Sequence, residues 1–110
     1  MDRTLVLKAL ADETRMRILT LLLGHNYCVR ALAKSLKLTE ATISQHLKVM
    51  REAGLLTGEK RGYSMHYAVK RAVLQELARE LEALAAIERD VYPLEKCASK
   101  PCHCGERGEA

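Results

Sequence analysis

Apolar residues recur along this chain with two different periods, and the change of period divides it into elements. From Thr39 to Gly54, Ile43, Leu47 and Met50 stand at i, i+4 and i+7, one stripe of a helix. Thr42, Ser44, Gln45, His46, Lys48 and Arg51 are left elsewhere around it. Upstream, Asp2 to Gly24 carries two helical segments, one with Leu5, Val6, Ala9 and Leu10 as its stripe and one with Ile18, Leu19, Leu22 and Leu23. Asp12 is placed to cap the second, Glu13 falls in its first turn and Gly24 stops it. Cys28 to Leu36 predicts a short helix with Leu32 and Leu36 inward, and Lys37-Leu38 joins it to the helix that Thr39 would cap. A short helix, a tight turn and a longer polar-faced helix make a helix-turn-helix.

The period then falls to two. Tyr63, Met65, Tyr67 and Val69 alternate with Ser64, His66 and Ala68, Leu55-Leu56 opens a partner strand, and Gly58 to Gly62 is the expected turn between them. From Arg71 to Val91, free of Gly and Pro, Leu74, Leu77, Leu81, Leu84 and Val91 return to helical spacing, and Val73, Ala78, Ala85 and Ile87 widen the face. On so small a protein that face would stay exposed, which predicts pairing with a two-fold mate. The expected fold class is mainly α (α+β): a winged helix-turn-helix with a two-stranded β-hairpin wing, dimerising through its N- and C-terminal helices. Residues 1–91 would form that domain and residues 92–110, with Pro93, Pro101 and little apolar content, a flexible Cys-rich tail.

Composition and charge say what such a domain would touch. Of 110 residues 48% are hydrophobic, with no Trp or Phe, so the core falls to Leu, Ile, Val, Met and Ala. No apolar run approaches the roughly 18 residues of a membrane span, and no leader pattern opens the chain; a cytoplasmic protein with no membrane partner is expected. The net charge is +4, and the segment from Lys37 to Arg71, with seven basic and three acidic residues, carries a local excess of the same size. Taken alone, the polar face of the Thr39 helix suits an ordinary solvated surface as well as a reading face. Beside a basic zone it becomes a candidate for reading DNA, since short hydrogen-bonding and cationic side chains reach base edges and phosphates in a major groove. Lys60 and Arg61 at the hairpin tip would meet phosphate or the minor groove alongside. A two-fold dimer sets two such helices one turn of DNA apart, hence a pseudo-palindromic double-stranded operator.

Four cysteines add a second kind of chemistry. In a reducing compartment they are poor candidates for disulfides. Cys97, Cys102 and Cys104 fall within eight residues. Soft thiolates select thiophilic ions: three suit a trigonal As(III) or Sb(III) site, and Cys28 as a fourth would suit Cd(II), Pb(II) or Zn(II). Lys96 and Lys100 flank the cluster, and His103 is a further donor. The competing readings are a thiol redox or persulfide switch in the same repressor and, from another class, a thiol enzyme or metal-buffering protein. Against an enzyme, no base accompanies a nucleophile and no Cys-x-x-Cys lies on a thioredoxin-like pattern.

The segments KALADETRMRIL and ALAKSLKLTEATISQHLKVMREAGLL, with Arg61, Gly62 and Tyr67 of the hairpin, resemble the ArsR/SmtB family of bacterial and archaeal metal-sensing repressors. The resemblance spans about Leu5 to Val91. It implies a homodimeric winged-helix repressor that binds its operator without metal and is released by an inducer. Position by position, Thr42, Ser44, Gln45, His46 and Lys48 match the groove-facing part of the family's recognition helix, and Lys60 and Arg61 its wing. Cys28-Val29-Arg30-Ala31-Leu32 resembles the family's Cys-Val-Cys-Asp-Leu inducer motif, but Arg30 and Ala31 depart from it, so only Cys28 carries over. The family's His and Asp ligands on the last helix find no histidine between Arg71 and Val91, which disfavours Zn, Ni or Co sensing there.

Overall fold

The computed structural model describes residues 1–90. Five helices and one hairpin follow in order: α1 (Arg3–Leu10), α2 (Glu13–Gly24), α3 (Val29–Leu36), α4 (Glu40–Glu52), β1 (Leu56–Arg61), β2 (Ser64–Val69) and α5 (Arg71–Ala85). Three of the five helix starts are written locally. Asp2 accepts from the backbone N–H of Thr4 and Leu5, Asp12 from that of Arg15, and Thr39 from that of Thr42, which satisfies donors that a helix leaves open at its first turn.

The end of α4 is equally explicit. Gly54, at φ +86°, reverses the chain; its N–H donates to Arg51 O and that of Leu55 to Met50 O, both at 3.0 Å. This is a Schellman closure, and it folds Leu55 back beside Met50, both fully buried. The stripe residues Ile43, Leu47 and Met50 join Val6, Ala9, Ile18, Leu19, Leu22, Leu32, Ala33, Leu36, Leu55 and Leu56 in one core, which thus seats the helix-turn-helix on α1 and α2. From α5 only Leu77 is buried.

Two expectations need correction. The turn of the wing is not Gly58 to Gly62 but Gly62-Tyr63: β1 runs on through Gly58 to Arg61, which pairs with Ser64, and Tyr63 leaves the strand alternation to stand fully exposed at the tip. Only Gly62 of the two turn residues has positive φ, +63°, the demand of a II′-type hairpin turn. Gly58 serves packing instead. A Cβ there would lie 3.0 Å from Met65 Cε and 3.2 Å from Tyr67 Cε1, so its bareness makes room for two side chains of β2. The second correction is that α5 ends at Ala85 and not at Val91, closing with an Ile87 N–H to Leu84 O contact of 3.2 Å. Its last turn has no cation to complement the free carbonyls, and Leu81, Leu84 and Ile87 are exposed, so neither capping nor packing extends it.

Candidate nucleic-acid interface and thiol position

The helix-turn-helix is α3, the link Lys37 to Thr39, and α4. Lys37 takes a left-handed conformation at φ 58°, and the N–H of Leu38 closes α3 on Ala33 O at 3.0 Å. That reversal turns the chain sharply enough for α4 to cross α3 and lie over the core by its apolar stripe. Thr42, Ser44, Gln45, Lys48 and Arg51 are exposed as a result. His46 is not among them: it is half-buried, with Nδ1 3.3 Å from Nη1 of Arg15 on α2. Thr42 takes part in the cap, its hydroxyl accepting from that of Thr39 at 2.9 Å.

The wing brings Lys60, Arg61 and Tyr63 to one exposed end. Arg61 is held by its neighbour two residues back, donating from Nε and Nη2 to Oε1 of Glu59 at 3.2 and 3.0 Å. Lys48 and Lys60 form no ion pair among the described residues, so their charge is free for a polyanion. Tyr63 is a residue that the alternating pattern misassigned; the signal for its place was the Arg-Gly-Tyr-Ser sequence itself, a glycine at the first of two turn positions. Arg15 was missed as well. Its carboxylate neighbour Asp12 is held below the ordinary carboxylate range, first by the Arg15 backbone N–H and, more weakly, by the positive charge of Arg15.

Cys28 occupies the joint between wing and helix-turn-helix. It is the residue at the N-terminal cap of α3, is half-buried, and its backbone pairs antiparallel with His66 of β2. His66 Nδ1 lies 3.1 Å from Oδ1 of Asn26, a second tie between the same two segments. A cavity of about 480 Å³ opens beside Cys28 between α3, α4 and the wing, with Arg30, Glu40, Ser44 and Met65 on its walls. Among the described residues no three His, Cys, Asp or Glu side chains are grouped as a metal site. Cys97, Cys102 and Cys104 lie outside the described residues. No helix among the described residues is long and apolar enough to cross a membrane.

Residues 12–57, from the cap of α2 into β1, match the model of the bacterial regulatory protein, arsR family. The transcriptional regulator CmtR of Mycobacterium bovis is 34% identical over 102 residues, 93% of this chain and 84% of that protein. The arsenical resistance operon repressor of Escherichia coli is 47% identical over 62 residues, 54% of this chain and 52% of its own length. Among solved structures, the homodimeric winged helix-turn-helix DNA-binding domain Mb0332 from Mycobacterium bovis superposes with a TM-score of 0.64 at 26% identity, covering 84% of this chain and 88% of that one. These relatives are regulators of transcription and not enzymes, and the solved domain shares the fold described above. The chain belongs to the arsR family of bacterial regulatory proteins.

Proposed function

We propose that this protein is a homodimeric repressor that binds a pseudo-palindromic operator and leaves it when a thiophilic metal or metalloid, As(III) or Sb(III) before Cd(II), Pb(II) or Zn(II), is bound by cysteine thiolates. The observation that carries the DNA half of the reading is the exposed face of α4, Thr42, Ser44, Gln45 and Lys48, set beside the wing with Lys60 and Arg61. Gln45 and Ser44 would read base edges, and Lys48, Lys60 and Arg61 would hold phosphates. Homodimerisation is supported by the apolar residues exposed on α1, Leu5 and Leu7, and on α5, Leu81 and Leu84.

The inducer half rests on Cys97, Cys102 and Cys104, with Cys28 as a fourth donor. Thiolates are the donor set that soft ions prefer. A bound ion would supply a crosslink among them. Cys28 starts α3 and pairs with β2, so tying it down would act on the helix-turn-helix and the wing at once. The inducer must favour the DNA-free state by its own difference in affinity, since equal binding to both shifts nothing.

Operator release tests this. With an operator-bound dimer, As(III) or Sb(III) should release the DNA. Cys102→Ser should bind operator as wild type does and lose at least about tenfold in sensitivity to the ion. A Cys102→Ser protein released by the same ion concentration as wild type would take the tail thiols out of the sensor, and release by oxidants alone would assign them to redox chemistry.

A further inference from the structure

His46 belongs to the recognition helix but faces into the molecule. Its position three residues after Ile43 and four before Met50 puts it on the edge of the buried stripe. A guanidinium donates and cannot accept, so in the 3.3 Å contact with Arg15 the guanidinium is the donor and His46 Nδ1 the acceptor. The same guanidinium donates from Nε to Ala9 O at 2.7 Å and from Nη2 to Lys8 O at 3.4 Å. Those are carbonyls of the last turn of α1, where a helix runs short of its own donors; Lys8 O also accepts from the Ala11 N–H at 3.3 Å. Asp12 accepts from the Arg15 backbone N–H at 3.0 Å and so fixes the root of this side chain.

We propose that Arg15 and His46 form a clamp that sets the rotation of the recognition helix against α1, so that operator affinity depends on a contact that touches no DNA. Burial of Ile43, Leu47 and Met50 fixes how deep α4 sits. It also selects which face is inward, but coarsely, because the attraction is non-directional; a hydrogen bond at the edge of that face is directional and narrows the rotation that remains. Rotation is what aims Gln45 and Lys48. At its other end α1 is tied to α5, Arg3 Nη1 lying 3.3 Å from Glu80 Oε1, and α1 carries the exposed Leu5 and Leu7. A line of contacts therefore runs from the two helices with exposed apolar faces, through one guanidinium, to the reading face. Arg15 and His46 are positioning residues in this scheme, which rests on α4 being the reading helix.

The test is operator affinity of the full chain by fluorescence anisotropy, with thermal unfolding followed in parallel. His46→Leu should weaken binding by about tenfold, the scale of one hydrogen bond to a charged group. His46→Asn, whose Oδ1 accepts where Nδ1 did, should restore most of that loss. Arg15→Lys keeps the charge but cannot span three acceptors. It should weaken binding to a similar degree, and the double variant Arg15→Lys/His46→Leu should bind no worse than the weaker single one. Direct contact of His46 with DNA through Nε2 predicts the contrary pattern: Asn as damaging as Leu, and losses that multiply in the double variant. That result overturns the clamp, as does a loss of affinity accounted for by the fraction unfolded. Gln45→Ala separates the two levels. If it binds operator like wild type, the reading of α4 falls; if it loses selectivity while the Arg15 and His46 losses multiply, the clamp alone falls.

Discussion

Lys37 shows how one residue can serve against its own conformational preference. A left-handed conformation costs a residue with a Cβ about 1 kcal/mol that glycine would not incur, yet the turn of the helix-turn-helix holds a lysine at φ 58°. The position lies in the basic segment, where its charge would add to the attraction for a polyanion. Lys37→Gly should therefore raise stability by about 0.5–1 kcal/mol in urea unfolding with the slope unchanged, and reduce the salt dependence of operator binding by about one phosphate contact. A more stable variant with unaltered salt dependence would remove Lys37 from the interface. At this scale the sequence was readable wherever a side chain acts on its own turn, as Asp12 and Thr39 do in capping. His46 was set with the groove-facing residues on its type and on the family resemblance, although its spacing to Ile43 and Met50 marks the edge of the inner face. Arg15 was not readable, since its partners are carbonyls of another helix that only the tertiary fold brings near.

Among the elements, the wing is where local pattern and structure diverge. Two glycines four residues apart both permit a turn, and spacing alone does not choose between them. The choice is made by packing, as Met65 and Tyr67 need the space over Gly58 and so keep it in the strand. One consequence is that Glu59, expected in the turn, stands in β1 and holds Arg61. This pair is exposed at both ends and worth little to stability. Its effect on DNA should be larger, because the carboxylate both occupies the arginine and repels phosphate. Glu59→Gln should tighten operator binding by about two- to fivefold at low salt, with the gain shrinking as salt rises and thermal stability unchanged. An unchanged affinity would place the wing tip away from the DNA. The helix α5 departs for another reason: its apolar spacing was legible to residue 91, but the helix closes at Ala85 after a last turn without a cation, and Ile87 beyond it is exposed with no packing to carry the helix on.

For the whole molecule, the division of labour follows from where the charge and the thiols lie. The basic segment from Lys37 to Arg71 coincides with the recognition helix and the wing, while the described thiol, Cys28, sits at their joint. On the proposed reading, DNA contact and inducer binding would use different residues of shared elements, with Ser44 and Cys28 on the walls of one cavity, so that an ion held at Cys28 would act on the DNA face from beside it. The two-fold pairing of α1 and α5 would set two copies of α4 one helical turn apart, and this spacing is a property of the dimer that no single chain's pattern contains. The most direct test of the account is a salt titration of binding to the promoter upstream of the protein's own gene, beside a scrambled duplex of equal length. A two-fold repressor should show two chains bound per pseudo-palindromic site, selectivity of at least about a thousandfold, and an affinity that falls steeply and log-linearly with salt. Equal affinity for both duplexes would contradict it.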